Sequence, residues 1–243
     1  LDIIADLHTH TIACGHAYST LEEMVRGAKE NGIEILATTD HGPRMPGGCH
    51  PYYFYNLAVL PEVIDGIRVL KGIETNITDI RGTLDLPVAA LKELDIVLAG
   101  MHPLTGYDGG TEDENTEAMI NAIKNPLVDV IVHPGNPEFE VNVNQVVEAA
   151  LNNDTILEIN NSSFRKSRAG SWSNCLEIAK AAKKFGLEVI VSSDAHFSQD
   201  VGKMKKALQL IKKANLEEKD ILNTSIERVT EFINTKKKVR AKI

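Results

Sequence analysis

At 243 residues the chain is long enough for one α/β barrel or for two small domains. With 43% hydrophobic and 25% charged residues it has the balance of a globular chain, which excludes disorder, and one domain over 1–243 is expected. The formal net charge of −8 repels polyphosphate backbones, so no nucleic-acid partner is expected.

No apolar run approaches the roughly 20 residues that span a bilayer, and the first residues carry no basic leader. A cytoplasmic protein without a membrane partner is the expectation; an oligomer is left open. Cys14, Cys49 and Cys175 are odd in number and widely spaced, which argues for reduced bystanders. Cys14 lies in a histidine-rich segment but reads as a small neutral filler.

Short Ile/Val-rich runs alternate with segments of helical period. The expected strands, taken in order, are Asp2–Leu7, Glu34–Thr39, Arg68–Glu74, Asp95–Met101, Asp129–His133, Ile156–Asn160 and Glu188–Ser193. Between the first two lies a helix with a capping box of Ser19 and Glu22, ended by Gly32. Asn115–Lys124 and Ser173–Phe185, the latter closed by Gly186, have apolar residues at helical spacing. Lys203–Ala214 and Ser225–Asn234 read as closing helices, and Lys236-Lys237-Lys238 as a solvated tail. Parallel strands joined right-handedly by helices give a seven-stranded (βα)7 TIM-like barrel, with an open doubly wound sheet as the alternative.

Ligand-type side chains fall where each expected strand stops, the edge that carries the active site in βα barrels. His8 and His10 are two apart, so an extended backbone turns both to one face. His41 follows the second strand, Glu74 ends the third, His102 follows the fourth and His133 ends the fifth. Asp194 and His196 follow the seventh, at the same two-residue spacing, and His16 reaches back from the loop after the first strand. Only His50, in a later loop, stands apart from this pattern. Asp6 and Asp40, each close before a candidate ligand, are expected to orient imidazoles or cap loops. Nine candidate ligands exceed what one tetrahedral ion uses, so two or three ions are implied. Nitrogen and oxygen donors without thiolate suit zinc, manganese or iron.

The chain resembles the PHP (polymerase and histidinol phosphatase) superfamily, and within it the single-domain bacterial YcdX-like phosphatases. The resemblance covers nearly the whole length. It rests on Asp6-Leu7-His8-Thr9-His10-Thr11, His16-Ala17-Tyr18-Ser19-Thr20, Thr39-Asp40-His41-Gly42-Pro43, Lys71-Gly72-Ile73-Glu74, His133-Pro134-Gly135-Asn136-Pro137, Glu158-Ile159-Asn160-Asn161-Ser162-Ser163-Phe164 and Ser193-Asp194-Ala195-His196. It implies a distorted seven-stranded barrel with three divalent metal ions, zinc foremost, and a small phosphorylated substrate. By motif, His8, His10, Glu74 and Asp194 would hold one ion, Glu74, His102 and His133 a second, and His16, His41 and His196 the third. The Pro103–Thr111 loop after His102 departs from the family pattern.

The expected chemistry is in-line attack on a phosphate monoester by cation-bound hydroxide, with Glu74, Asp194 and His196 as the catalytic ligands and no side-chain nucleophile. Asn160, Asn161 and Ser162 follow the sixth strand, the one strand without an expected metal ligand, and offer short donors for phosphate. Arg165 and Arg168 add guanidinium forks. Trp172 reads as helix packing. Two rivals remain: an amidohydrolase-type barrel such as a deaminase or lactonase, and a non-catalytic metal-binding interaction domain. The first is disfavoured by Glu74 at the bridging position and the lack of a lysine at a middle strand end.

Overall fold

The structure, a computed structural model, describes residues 1–243 except for the side chain of Ser167. Its strands and helices are β1 (Ala5–Thr9), α1 (Leu21–Glu30), β2 (Ile35–Thr38), α2 (Pro51–Asn56), β3 (Val63–Ile64), β4 (Ile67–Asn76), α3 (Val88–Glu93), β5 (Ile96–Gly100), α4 (Glu112–Ile123), β6 (Val130–Ile131), α5 (Val143–Asn152), β7 (Ile156–Asn160), α6 (Ser171–Phe185), β8 (Val189–Ser192), α7 (Lys205–Lys213) and α8 (Ile226–Arg240). Seven strands pair in parallel in the order β1-β2-β4-β5-β6-β7-β8, while β3 folds back antiparallel on β4. A parallel bridge between Thr9 and Ala195 brings the two ends of this order together, so the sheet curls into a nearly closed barrel. No helix among the described residues is long and apolar enough to cross a membrane.

The closure is uneven. Beyond the Thr9–Ala195 bridge, the amide of Asn223 fills the seam between β1 and β8: its Nδ2 donates to the carbonyls of Ala5 and Val191, both at 2.7 Å, and its Oδ1 accepts from the Val191 N–H at 3.0 Å. One side chain thus satisfies backbone groups that a regular ladder would pair.

The barrel interior is apolar at its lower levels, where Leu7, Ile35, Leu70, Leu98, Val130 and Ile190 pack in one cluster closed from below by Val229 and Ile233 of α8. The opposite faces of the strands meet the helices, as with Leu36 against Met24 and Val25 of α1. Polar residues take over at the carboxyl ends of the strands. In β1 this requires a change of face, and a bulge supplies it: the register against β2 slips by one residue between Asp6 and Thr9. Leu7 joins the interior, and the extra residue turns His8 and His10 inward as well.

Several helix boundaries differ from the sequence reading. The capping box of α1 is Thr20 with Glu23, one residue after the expected Ser19 and Glu22. Two overlapping patterns of hydroxyl and acid occur here. Ser19 is buried instead, and its Oγ accepts the Ser198 N–H at 3.0 Å. Helix α4 begins earlier than expected, at a second capping box of Thr111 and Glu114, and α5 was not anticipated. The expected Lys236-Lys237-Lys238 tail is part of α8, which continues to a fully buried Arg240. That guanidinium pairs with Asp129 and donates to the carbonyls of Leu94 and Asp95 at 2.9 and 2.8 Å, so the helix is held to the base of β5 and β6.

Candidate metal centre

Six of the seven parallel strands deliver ligand-type side chains to the same point, at or just beyond their carboxyl ends; β7 delivers none from its loop. Glu74, near the end of β4, is fully buried and central. One carboxylate oxygen lies 3.0 Å from His102 Nε2 and 2.8 Å from His133 Nε2. The other lies 3.3 Å from His8 Nε2, 3.3 Å from His10 Nε2 and 2.9 Å from His41 Nδ1. Asp194 Oδ1 is 3.3 Å from His10 Nε2 and 3.7 Å from His8 Nε2. At the rim, the His16 ring stands 4.8 Å from that of His41 and 5.1 Å from that of His196. The Tyr18 N–H donates to the His196 carbonyl at 2.8 Å, which ties these two loops together.

The backbone is bent to achieve this convergence. His133 and Asp194 adopt positive φ, +36° and +53°, a conformation that costs a non-glycine residue free energy and that surrounding structure must enforce. Asp194 is fixed by its N–H donating to the His8 carbonyl at 3.0 Å, and His133 by its N–H donating to Glu158 Oε2 at 2.8 Å. Gly100 keeps the space open, because a Cβ there would stand 2.8 Å from His133 Cε1 and 3.0 Å from His102 Cε1.

The donor atoms fit divalent cations. Imidazole nitrogens face one another at 3.0 Å (His8 and His10) and 3.1 Å (His102 and His133), distances at which bare lone pairs repel. Glu74 Oε2, Asp194 Oδ1 and His41 Nδ1 are buried and make no hydrogen bond; His41 Nδ1 approaches Glu74 off the bonding direction. Buried polar atoms without partners are costly, and shared cations would satisfy all three. Groups with mutually close ligand atoms are His8, His10 and Asp194; His10, His41 and His196; and His41, Glu74 and His102. His41 therefore approaches Glu74 as well as the rim histidines.

The electrostatics agree. Burial works against ionisation of Glu74, yet His41, His8 and His102 hold it well below the usual carboxylate range. Asp194 is likewise held low against burial, by His8 and Arg168. Burial pushes His102 down to about 3, leaving a neutral imidazole able to bind a cation. Cys14 Sγ lies near His10 and Asp40, but burial pushes its thiol up to about 12, and it donates to the Thr11 carbonyl at 3.2 Å.

Of the two roles expected of Asp6 and Asp40, orienting imidazoles or capping loops, both residues take the second. Asp6 and Asp40 bind loops and touch no imidazole. Asp6 accepts from the Ser193 N–H and hydroxyl and from the Gly202 N–H, and Asp40 accepts from Thr11 and the Tyr53 hydroxyl. Orientation of the imidazoles falls to residues the sequence reading did not single out. Glu158, inside β7, accepts from His8 Nδ1, and Asn76 Oδ1 accepts from His102 Nδ1, both at 2.8 Å. A buried acid in the apolar run Ile-Leu-Glu-Ile was the available signal for Glu158. His50 caps α2 by accepting the Tyr52 N–H.

A cavity of about 400 Å³ opens above the cluster, lined by His16, His41, His102, Asp194 and His196 together with Met45, Pro103, Asn136, Glu138, Ser162, Arg165 and Arg168. Of the five expected phosphate-binding residues, Ser162, Arg165 and Arg168 reach it. Asn160 and Asn161 do not. The Asn160 amide is buried against Glu158, Asp194 and the Ser163 N–H, and Asn161 Oδ1 accepts from the Lys206 and Ala207 N–H groups at the start of α7. Arg168 donates to Asp194 Oδ2 at 2.9 Å, and Arg165 pairs with Asp200. A larger cavity, about 620 Å³, lies beside α8 at the other end of the barrel and contains none of these ligands.

The model of the PHP domain matches residues 6–240. Probable phosphatases of Thermoanaerobacter sp. (strain X514) and Shewanella pealeana are 49% and 45% identical, over 98% and 96% of this chain and 97% and 93% of theirs. Among solved structures, histidinol phosphate phosphatase from Lactococcus lactis, complexed with zinc, L-histidinol and phosphate, superposes with a TM-score of 0.63 at 18% identity, covering 89% of this chain and 95% of that one. A probable 2-pyrone-4,6-dicarboxylic acid hydrolase from Acinetobacter baumannii shares the barrel with a TM-score of 0.54 at 13% identity, over 96% and 99% of the two chains. Barrel shape alone does not separate these activities.

Proposed function

We propose, from the premise that this chain belongs to the PHP family, that it hydrolyses phosphate monoesters of small molecules in the cavity above the histidine and carboxylate cluster. It is a metal-dependent phosphatase. The observation that carries the reading is Glu74, whose two carboxylate oxygens face two separate sets of imidazoles. A carboxylate so placed would be able to bridge cations, and divalent ions bound there would neutralise phosphate charge and make water a better nucleophile at neutral pH.

The family-based ligand set is proposed here: His8, His10, Glu74 and Asp194; Glu74, His102 and His133; and His16, His41 and His196. It calls for three divalent ions; nitrogen and oxygen donors suit zinc, manganese or iron, and the family resemblance puts zinc first. Glu74, Asp194 and His196 are the ligands assigned to catalysis. Arg168 holds one Asp194 oxygen so that the other faces the imidazoles, and Arg165 and Ser162 supply donors at the cavity wall. The enclosing walls keep the phosphate among fixed dipoles and charges.

The test is metal analysis of the purified protein together with hydrolysis of an aryl phosphate, histidinol phosphate, phosphopeptides, nucleotides and a lactone. Phosphomonoester turnover that is lost on chelation and restored by zinc is expected. Hydrolysis of the lactone with none of the phosphoesters would overturn the assignment in favour of an amidohydrolase.

A further inference from the structure

Behind His102, on the side away from the cavity, a chain of hydrogen bonds runs outward to a carboxylate that has no place in the ligand set. His102 Nδ1 bonds Asn76 Oδ1 at 2.8 Å, and Asn76 Nδ2 donates to Asp85 Oδ2 at 2.5 Å. Asp85 lies in the segment between β4 and α3 and is half-buried. Its carboxylate accepts four hydrogen bonds in all, the others coming from the Thr75 hydroxyl at 2.6 Å, the Asn76 N–H at 2.9 Å and the Arg44 N–H at 2.9 Å. The last of these lies just after His41. The same carboxylate packs so tightly on Gly42 that a Cβ there would come within 2.4 Å of it.

An asparagine amide can face its neighbours in two ways, and here the choice has a chemical consequence. A carboxylate can only accept, so Asp85 forces Nδ2 toward itself and Oδ1 toward His102. An oxygen facing His102 requires Nδ1 to carry the proton, which leaves the Nε2 lone pair aimed at Glu74 and His133. With the amide reversed, Nδ2 would meet His102 Nδ1, the proton would move to Nε2, and the nitrogen facing the cluster would be blocked.

We infer that Asp85 is a positioning residue for the metal centre: it fixes the Asn76 amide, and through it the His102 tautomer, while holding the 42–44 loop behind His41. The inference rests on the metal-site reading above. Asp85 acts at a distance, on the shape of the ligand set, and touches neither cation nor substrate. Partners one layer behind a metal ligand typically govern affinity by about 10- to 100-fold.

The test uses the full chain loaded with zinc and measures zinc release to a chromogenic chelator. It also records the His102 tautomer in the cation-free protein by long-range proton–nitrogen NMR, assigned through its loss in His102→Gln. In the parent, His102 carries its proton on Nδ1. Asp85→Asn, which can donate to Asn76 and so reverse it, moves the proton to Nε2 and releases zinc about 10-fold faster or more. The paired change Asn76→Asp with Asp85→Asn restores an acceptor to His102, returns its proton to Nδ1 and slows release relative to Asp85→Asn, without restoring the acceptor for the Arg44 N–H; a role confined to stability would not be rescued in this way. If Asp85→Asn does not fold, the pair decides alone, with a His102 proton on Nε2 counting against the inference. A parent with the proton on Nε2, or an Asp85→Asn protein with the parent tautomer and release rate, overturns it. A parent that takes up no zinc overturns the metal-site reading itself.

Discussion

Glu158 Oε1 accepts the Nδ1 proton of His8 at 2.8 Å, and with its other oxygen Glu158 accepts the backbone N–H of His133 at 2.8 Å. One carboxylate in β7 thus orients a candidate ligand on β1 and holds the strained turn that presents another after β6. Replacement by Gln keeps the shape but sets an amide NH2 either against the His8 donor or against the His133 and Asn160 donors. Zinc affinity should fall by about 10- to 100-fold, measured by chelator competition. An unchanged affinity would remove Glu158 from the site's support.

Glu74→Ala removes the group between the two sets of imidazoles. Bound metal should fall below the parent's stoichiometry and phosphatase turnover should disappear, as read by elemental analysis and aryl phosphate hydrolysis. Turnover at the parent level with full metal content would exclude Glu74 as a bridge.

Gly100→Ala probes the space in which two imidazoles sit. Its methyl would press on His102 and His133 at 2.8–3.0 Å, so both rings must move. Reduced zinc content with nearly unchanged far-UV circular dichroism is expected. Full occupancy would show that the rings give way without cost.

Arg240→Met tests the base of the barrel, far from the cluster. It leaves Asp129 buried beside Arg240's former place and should destabilise the fold by about 3–5 kcal/mol, read by urea unfolding. Burial already raises the Asp129 carboxyl above its ordinary range, and Arg240 is the largest opposing influence. In the variant the carboxyl rises further. A raised acid favours the folded state below its unfolded pKa and loses that contribution as pH rises through the folded pKa. The destabilisation should therefore shrink as pH falls from about 8 to about 5. A penalty independent of pH would mean that Asp129 is solvated in the variant.

The three thiols offer a chemical check. Burial pushes Cys14 and Cys175 up to about 12 and raises Cys49 as well, so all three are protonated at pH 8, near the ordinary thiol pKa of about 8.5. The native protein should resist alkylation and keep its activity, and all three thiols should react once it is unfolded in denaturant. Rapid native labelling of Cys14 with loss of metal would make it a ligand.

The strands and the ligand-type histidines were legible because apolar runs mark the strands and polar residues mark where they stop. The same rule missed the role of Glu158, since it weighs polar residues where a strand stops and this acid lies inside one. Asn76 carries no pattern of its own; its role exists only once β4 and β5 lie side by side. Asn160 and Asn161 looked available for phosphate because Asn and Ser donors cluster after β7, but buried acids and the start of α7 engage both amides first. Arg240 was hidden by three preceding lysines, whose charge suggested solvent while the helical period carried the arginine underneath the sheet.

The amide of Asn223 makes ring closure depend on a residue contributed late in the sequence. His8 and Asp194 stand on opposite sides of that joint, so a fragment that ends before it holds the pieces of a site without the enclosure. Under the proposed ligand set, cations that join the two sides would act as a clasp: by mass action they would favour the closed ring over any opened form. Amide exchange in β1 and β8 is accordingly the first place where stripping the metal will be felt.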